Sequence, residues 1–173
     1  MNLLLHAAIV IVLRRVFVRF VAPAPALAGA LLFAVLPVHA QAVATVVGQA
    51  ELLSALALVG LLLLVVTTDA PPTLGRLTAA AVLSAAALAA KEGGVMAPVL
   101  VLAAAWTLPR QRPYATRWAT AALVGVCVLL AARVMVLGTF GGDSANPVFR
   151  EVSVWRQWSI ALAMLPRAAA MLT

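Results

Sequence analysis

Long apolar runs, with nearly every charge placed where a run stops, constrain this chain more than any other feature. The runs cover residues 2 to 21, 24 to 38, 51 to 68, 76 to 91, 94 to 108, 117 to 138 and 157 to 172. Their composition suits helices, and a bilayer crossing needs about 20 predominantly apolar residues. Across the chain 65% of residues are hydrophobic and 10% are charged, where soluble domains average roughly 45 to 50% and 25%. Together these predict an all-α polytopic transmembrane bundle of about seven helices, forming a single domain over residues 1 to 173.

The punctuation between runs is helical. Pro23 and Pro25 restart the chain after the first run, and Pro71 and Pro72 break it after Asp69. Gly93 and Gly94 divide the fourth run from the fifth, and Pro109 and Pro113 bound a basic loop. The fourth and fifth runs are short for crossings, so they read either as two spans or as a re-entrant pair with its tip at Lys91 to Gly94. Leu3 to Leu13 resembles the core of a signal peptide in length, but Arg14, Arg15 and Arg19 follow it instead of preceding it. It reads as part of a true span, with its first turns expected to precede Met1.

Net charge is +7 and the isoelectric point is near 11.6, values that in a soluble chain would suggest nucleic acid. A nucleic-acid surface collects its basic residues on one polar face, and here they sit at run ends, so no nucleic acid is expected. Arg14, Arg15, Arg19, Arg76, Arg110, Arg112 and Arg117 fall on one side of the alternating topology, which the positive-inside rule makes cytoplasmic. Trp106, Tyr114 and Trp118 are expected to belt that side, and Trp155 and Trp158 the other. The opposite side holds Glu51, Glu92, Asp143 and Glu151, with His39, Gln41 and Lys91. Any chemistry is therefore expected to face outward. The lone Cys127 reads as a small core residue, with no disulfide or thiolate metal site available.

The polar cluster from Pro37 to Ser54 interrupts the apolar chain, and polar groups at a membrane span mark a site by default. Glu51 opens a helix, where capping alone would favour an acid. His39 reads either as a site residue or as an interfacial imidazole satisfied by a carbonyl. Lys91 and Glu92 are a stronger signal, because opposite charges beside hydrocarbon need partners or a water-filled cavity. Adjacent helical positions point about 100° apart, so each of the two is expected to meet a group on another helix. The functional reading gives Lys91 an anion such as a lipid-linked phosphate and holds Glu92 by His39 or an Arg; the plainer one is an ion pair pinning helices. Arg133 reads either as a second phosphate clamp or as a snorkelling cation. Asp143, in the Gly/Ser/Asn-rich loop from Gly138 to Val152, is a turn residue. No metal-ligand spacing, phosphate loop, dinucleotide fingerprint or nucleophile-base pair is present, so no cofactor is expected.

With those residues in view, the chain resembles the membrane part of TPR-containing GT-C glycosyltransferases, the group of the TMTC-like protein O-mannosyltransferases and their bacterial relatives. Asn2 with His6 is similar to that family's Asn-x-x-x-His helix start. Leu36-Pro37-Val38-His39, Ala42-Val43 and Gly48 to Ser54 are similar to its His-Pro-x-His and Gly-Arg-x-Glu-Leu-Leu-Ser stretches, and Ala90-Lys91-Glu92 to its Ser-Lys-Glu. Arg133, Asn146-Pro147 and the Arg156 to Arg167 segment are similar to the later part. Leu36, Gln41 and Gln49 stand where the family carries His, Glu and Arg.

The resemblance implies an internal fragment of a multi-pass enzyme, in a bacterial inner membrane, that moves a sugar from a polyprenyl-phosphate donor to a protein or glycan acceptor. Transfer would occur on the non-cytoplasmic face with inversion. Lys91 and Arg133 would bind the donor phosphate, His39, Gln41, Glu51 and Glu92 would form the polar pocket, and the family's acidic catalytic loop is not among these residues. Two other classes stay open. A solute transporter would normally carry similar halves, which are not seen, and a non-catalytic membrane scaffold would use every charge for helix packing.

Overall fold

The computed structural model describes residues 1 to 137 and, beyond them, Arg156, Ser159 and Ala163. Every regular element among these residues is helical: α1 (Asn2–Phe17), α2 (Pro23–Val35), α3 (Ala40–Ala44), α4 (Gly48–Val66), α5 (Leu74–Ala90), α6 (Ala97–Thr107) and α7 (Ala115–Leu137). Short 3₁₀ turns at Pro37–His39, Glu92–Met96 and Arg112–Tyr114 lead into α3, α6 and α7. The first six apolar runs thus become α1, α2, α4, α5, α6 and α7. The seventh run, the 138 to 152 loop with Asp143, and Trp155 and Trp158 lie outside the described residues. The chain divides into two compact units, Met1–Ala132 and Arg133–Thr173.

Local chemistry explains the helix boundaries. Pro23 opens α2, where its missing N–H costs nothing and its fixed φ is already helical. The Thr73 side chain caps α5 by accepting from the Arg76 N–H at 3.4 Å. Alanine and leucine, strong helix formers, fill the interior of α5.

In the first unit α4 lies against both α1 and α5. The main core joins α4, α5, α6 and α7 through Leu61, Val65, Ala80, Ala97, Val101, Ala105, Ala115, Trp118 and Ala122. Alanine dominates that set, and small side chains are what let helix backbones approach closely. At the tightest point α7 crosses α5, and a Cβ on Gly125 would run into the backbone of Ala81.

Hydrogen bonds fix which ends meet. Asn2 at the start of α1 reaches the carbonyl of Thr45, and Lys91 after α5 pairs with Glu51 in the first turn of α4. At the far end Arg19, Asp69 and Arg110 gather around the loop that follows α4. The α5/α6 hairpin therefore starts beside Asp69, carries its tip to the level of the first turn of α4, and returns. Although α6 alone is only about 16 Å long at 1.5 Å per residue, the hairpin is as deep as α4.

Two expectations are corrected. Cys127 lies exposed on the outside of α7 instead of in the core, because the inward face of that helix is taken by Ala115, Trp118, Ala122, Gly125 and Val126. Trp118 does not join an outer belt: it is 0% exposed, and its indole N–H donates to Gln111 Oε1 at 3.0 Å. Gln111 is itself 1% exposed and donates to the carbonyls of Thr68 at 2.6 Å and Ala70 at 3.1 Å.

Two stability changes follow. Gly125→Leu forces α5 and α7 apart and should cost about 1 to 3 kcal/mol, the usual range for overpacking, seen as a lowered thermal-unfolding midpoint in detergent. Gln111→Leu strips partners from the buried Trp118 indole N–H and the buried Thr68 carbonyl, at about 1 to 3 kcal/mol for each group left unsatisfied, while the exposed Ala70 carbonyl can turn to solvent. Arg112→Leu, at an exposed neighbour, should leave the midpoint nearly unchanged in the same assay.

Candidate functional site

The polar cluster at the Lys91 end is assembled from four helix termini: the starts of α1 and α4 and the ends of α3 and α5. Asn2, the first residue of α1, donates from Nδ2 to Thr45 O at 2.7 Å and Ala42 O at 3.4 Å. The short α3 ends there because Thr45 turns extended, and its hydroxyl donates to Gln41 O at 2.9 Å while accepting from the Gly48 N–H at 3.1 Å. A side chain at Gly48 would collide with the backbone of Ala42. Only glycine lets α3 fold so tightly onto the start of α4.

One helical turn into α1, His6 is buried and its Nε2 lies 3.1 Å from Ala34 O. A carbonyl only accepts, so this nitrogen carries the proton. The His6 ring stacks on Phe33 at 5.9 Å between centroids and sits 5.5 Å from the His39 ring. Phe33 and His39 are 4.2 Å apart. The three rings form one wall in which His39 Nε2 is buried without a hydrogen-bond partner among the described residues. Since an unpaired buried polar atom is costly, that nitrogen is a group awaiting a partner.

At the same end a cavity of about 340 Å³ is lined by Gln41, Ala42, Thr45, Val47, Gly48 and Glu51, and by none of the three rings. The Glu51 carboxylate on its rim accepts from the Lys91 ammonium. Both side chains remain close to half exposed, at 48% and 43%, so solvent screens the pair and it contributes at most about 1 kcal/mol.

The sequence-predicted residues are therefore only partly brought together. His39, Gln41, Glu51 and Lys91 share this end of the first unit, and Lys91 meets a group on another helix as adjacent-charge geometry requires. Its partner is Glu51. Glu92 is exposed and has no ion pair among the described residues, and His39 packs on His6 and Phe33 instead of holding it. Arg133 falls in the second unit, half-buried in the last turns of α7. Asn146-Pro147 lies outside the described residues.

Some participants were invisible in the sequence. Phe33 reads as one more apolar position of α2, and Thr45 as a loop residue, yet Phe33 packs on both imidazole rings and Thr45 lines the cavity. Asn2 and Gly48 did stand out, as parts of motifs, without a stated job. Their jobs are to lock α1 onto α3 and α3 onto α4. Among the described residues no group of three or more His, Cys, Asp or Glu is arranged to hold a metal ion.

Comparison with protein-family models, with curated proteins and with solved structures finds no match to this chain.

Proposed function

We propose that this chain is part of a multi-pass integral-membrane glycosyltransferase of the GT-C type. In this reading it binds a polyprenyl-phosphate sugar at its Lys91 end and serves transfer to a protein or glycan acceptor there. One observation carries it: Asn2, His6, His39, Gly48, Glu51 and Lys91, the positions of the family resemblance, are spread over ninety residues of chain yet gather at one end.

The membrane part is supported by two helices, Gly48–Val66 and Arg112–Val136, that are long and apolar enough to cross a bilayer. Only 28% and 17% of their most apolar windows are buried. The core helix of a soluble protein would be mostly covered, whereas here the apolar surface faces outward, as lipid allows and water penalises. Arg14, Arg15, Arg19, Arg76, Arg110, Arg112 and Arg117 concentrate at the opposite end, which the positive-inside rule assigns to the cytoplasm. The Lys91 end then faces the periplasmic side of a bacterial inner membrane.

At that end a donor would keep its tail in lipid and bring its phosphate to the rim of the cavity. Lys91 would exchange Glu51 for the phosphate. The exchange is inexpensive because a half-exposed ion pair is weak and because a phosphate makes strong charge-assisted hydrogen bonds. As the sugar leaves, negative charge grows on the departing phosphate, where a preplaced ammonium is most effective. His39, with its unpartnered nitrogen, and Gln41 would orient polar groups of the donor. The reading assigns no catalytic base among the described residues.

The pairing of Lys91 with Glu51 also suits a scaffold in which the two charges merely tie α5 to α4, and one substitution separates the readings. Lys91→Ala should weaken binding of a short-chain polyprenyl phosphate by about ten-fold or more, the loss of a charge-assisted hydrogen bond, and leave the thermal midpoint nearly unchanged. Lys91→Arg should recover most of the affinity. A collapse of the midpoint with no difference in phosphate binding between folded variants would establish the scaffold.

A further inference from the structure

At the end remote from Lys91, two guanidinium groups converge on one carboxylate. Arg19 Nη2 lies 2.9 Å and Arg110 Nη1 3.2 Å from the same oxygen, Asp69 Oδ1. The trio keeps a net positive charge and borders a cavity of about 250 Å³ whose walls include Val66, Leu108 and Gln111. We propose that this cavity is a binding site for the phosphodiester headgroup of an anionic membrane lipid.

Part of the frame is held by hydrogen bonds of its own. Gln111 has both amide hydrogens on Thr68 and Ala70 and its oxygen on Trp118, so it holds the wall and offers nothing to a ligand. Arg19 is oriented by a second bond, from Nε to Val66 O at 3.1 Å. Arg110 spends one N–H on Asp69 and is otherwise three-quarters exposed. Each guanidinium carries five donors, so most of the fork remains available, and the planar fork matches two oxygens of one phosphate. Preorganised donors lose less freedom when a ligand binds.

The surroundings favour lipid over a free ion. Phe20 and Val21, directly after Arg19, are exposed large apolar residues placed to meet acyl chains, and Leu108 and Pro109 form an apolar wall within the cavity. At the same end Arg112 lies over Trp106, with its guanidinium carbon 4.9 Å from the ring centroid, an arrangement suited to a headgroup layer. Arg14, Arg15, Arg76, Arg112 and Arg117 add positive charge there, and Asp69 is the one acid at that end among the described residues. Basic pockets between helices on the cytoplasmic side are places where anionic headgroups bind. The inference needs the membrane reading but not the sugar-transfer reading.

Titrating the full chain in detergent with dioctanoyl phosphatidylglycerol, dioctanoyl phosphatidylcholine and inorganic phosphate tests it, with occupancy read by native mass spectrometry. The anionic lipid should bind about ten-fold more tightly than the zwitterionic one, and Arg110→Gln should remove that preference. Asp69→Asn should strengthen binding by several-fold, because it deletes the carboxylate that competes for both guanidiniums; a purely structural Asp69 would give no gain. Arg76→Gln, a basic residue outside the cavity, and Lys91→Ala, at the other end, should each change the affinity by less than about two-fold. Equal affinity for the two lipids would overturn the proposal, as would an equal loss in Arg76→Gln and Arg110→Gln. Displacement of the lipid by equimolar inorganic phosphate would also sink it, marking a free-phosphate site instead.

Discussion

The arrangement of the first unit depends on one buried amide. Gln111 joins the loop after α4, through Thr68 and Ala70, to α7, through Trp118. In an apolar interior the alternative to these three bonds is several unsatisfied groups, each costly on its own. The amide therefore decides where the two loops at this end lie against each other. That position places Arg110 on Asp69, fixes both feet of the α5/α6 hairpin, and sets how far its tip reaches along α4. Lys91 meets Glu51 because the hairpin is anchored at this depth.

The middle of the unit contributes proximity with little polar specificity. Alanines and Gly125 let backbones come close, and dispersion between tightly packed atoms accumulates along the contacts. Such surfaces slide easily past one another in register, since one small residue resembles the next. Directional bonds at the two ends remove that freedom: Asn2 and Gly48 on Thr45 at one, Gln111 on Thr68 and Arg19 on Val66 at the other. α4 takes part in both sets and works as the common reference for the rest.

Much of this was legible in the sequence. Six helices follow the apolar runs to within a few residues, because proline and glycine stop helices by local sterics that need no tertiary knowledge. The opposed ends and their charges were also readable from the alternation of runs. What a linear pattern could not carry was pairing across helices. Lys91 and Glu92 each call for a partner of opposite charge on another helix, and the sequence does not say which; the depth of the hairpin brings Lys91 to Glu51 and leaves Glu92 without an ion pair among the described residues. Gln111, flanked by Arg110 and Arg112, looks like part of a solvated basic loop, and Trp118 like an interfacial ring, until the two are seen to satisfy each other in the core. Cys127 misleads for a related reason: α7 is apolar on nearly every side around it, so apolar neighbours in sequence say nothing about which face is inward.

The ion pairs at the two ends are better suited to exchange than to holding the fold. Each member is at least a third exposed, and the Lys91 and Glu51 side chains are near half. Solvent screens such pairs down to roughly 0 to 1 kcal/mol, less than the unsatisfied groups that loss of the Gln111 amide would leave. A weak pair keeps a cation oriented and hydrated while leaving it free to change partner at small cost. Any ligand anion that displaced one of these carboxylates would displace a group already close to water, so its hydrogen bonds would be gained with little to repay. Buried bonds that define the fold and exposed bonds that can be traded are separate populations here.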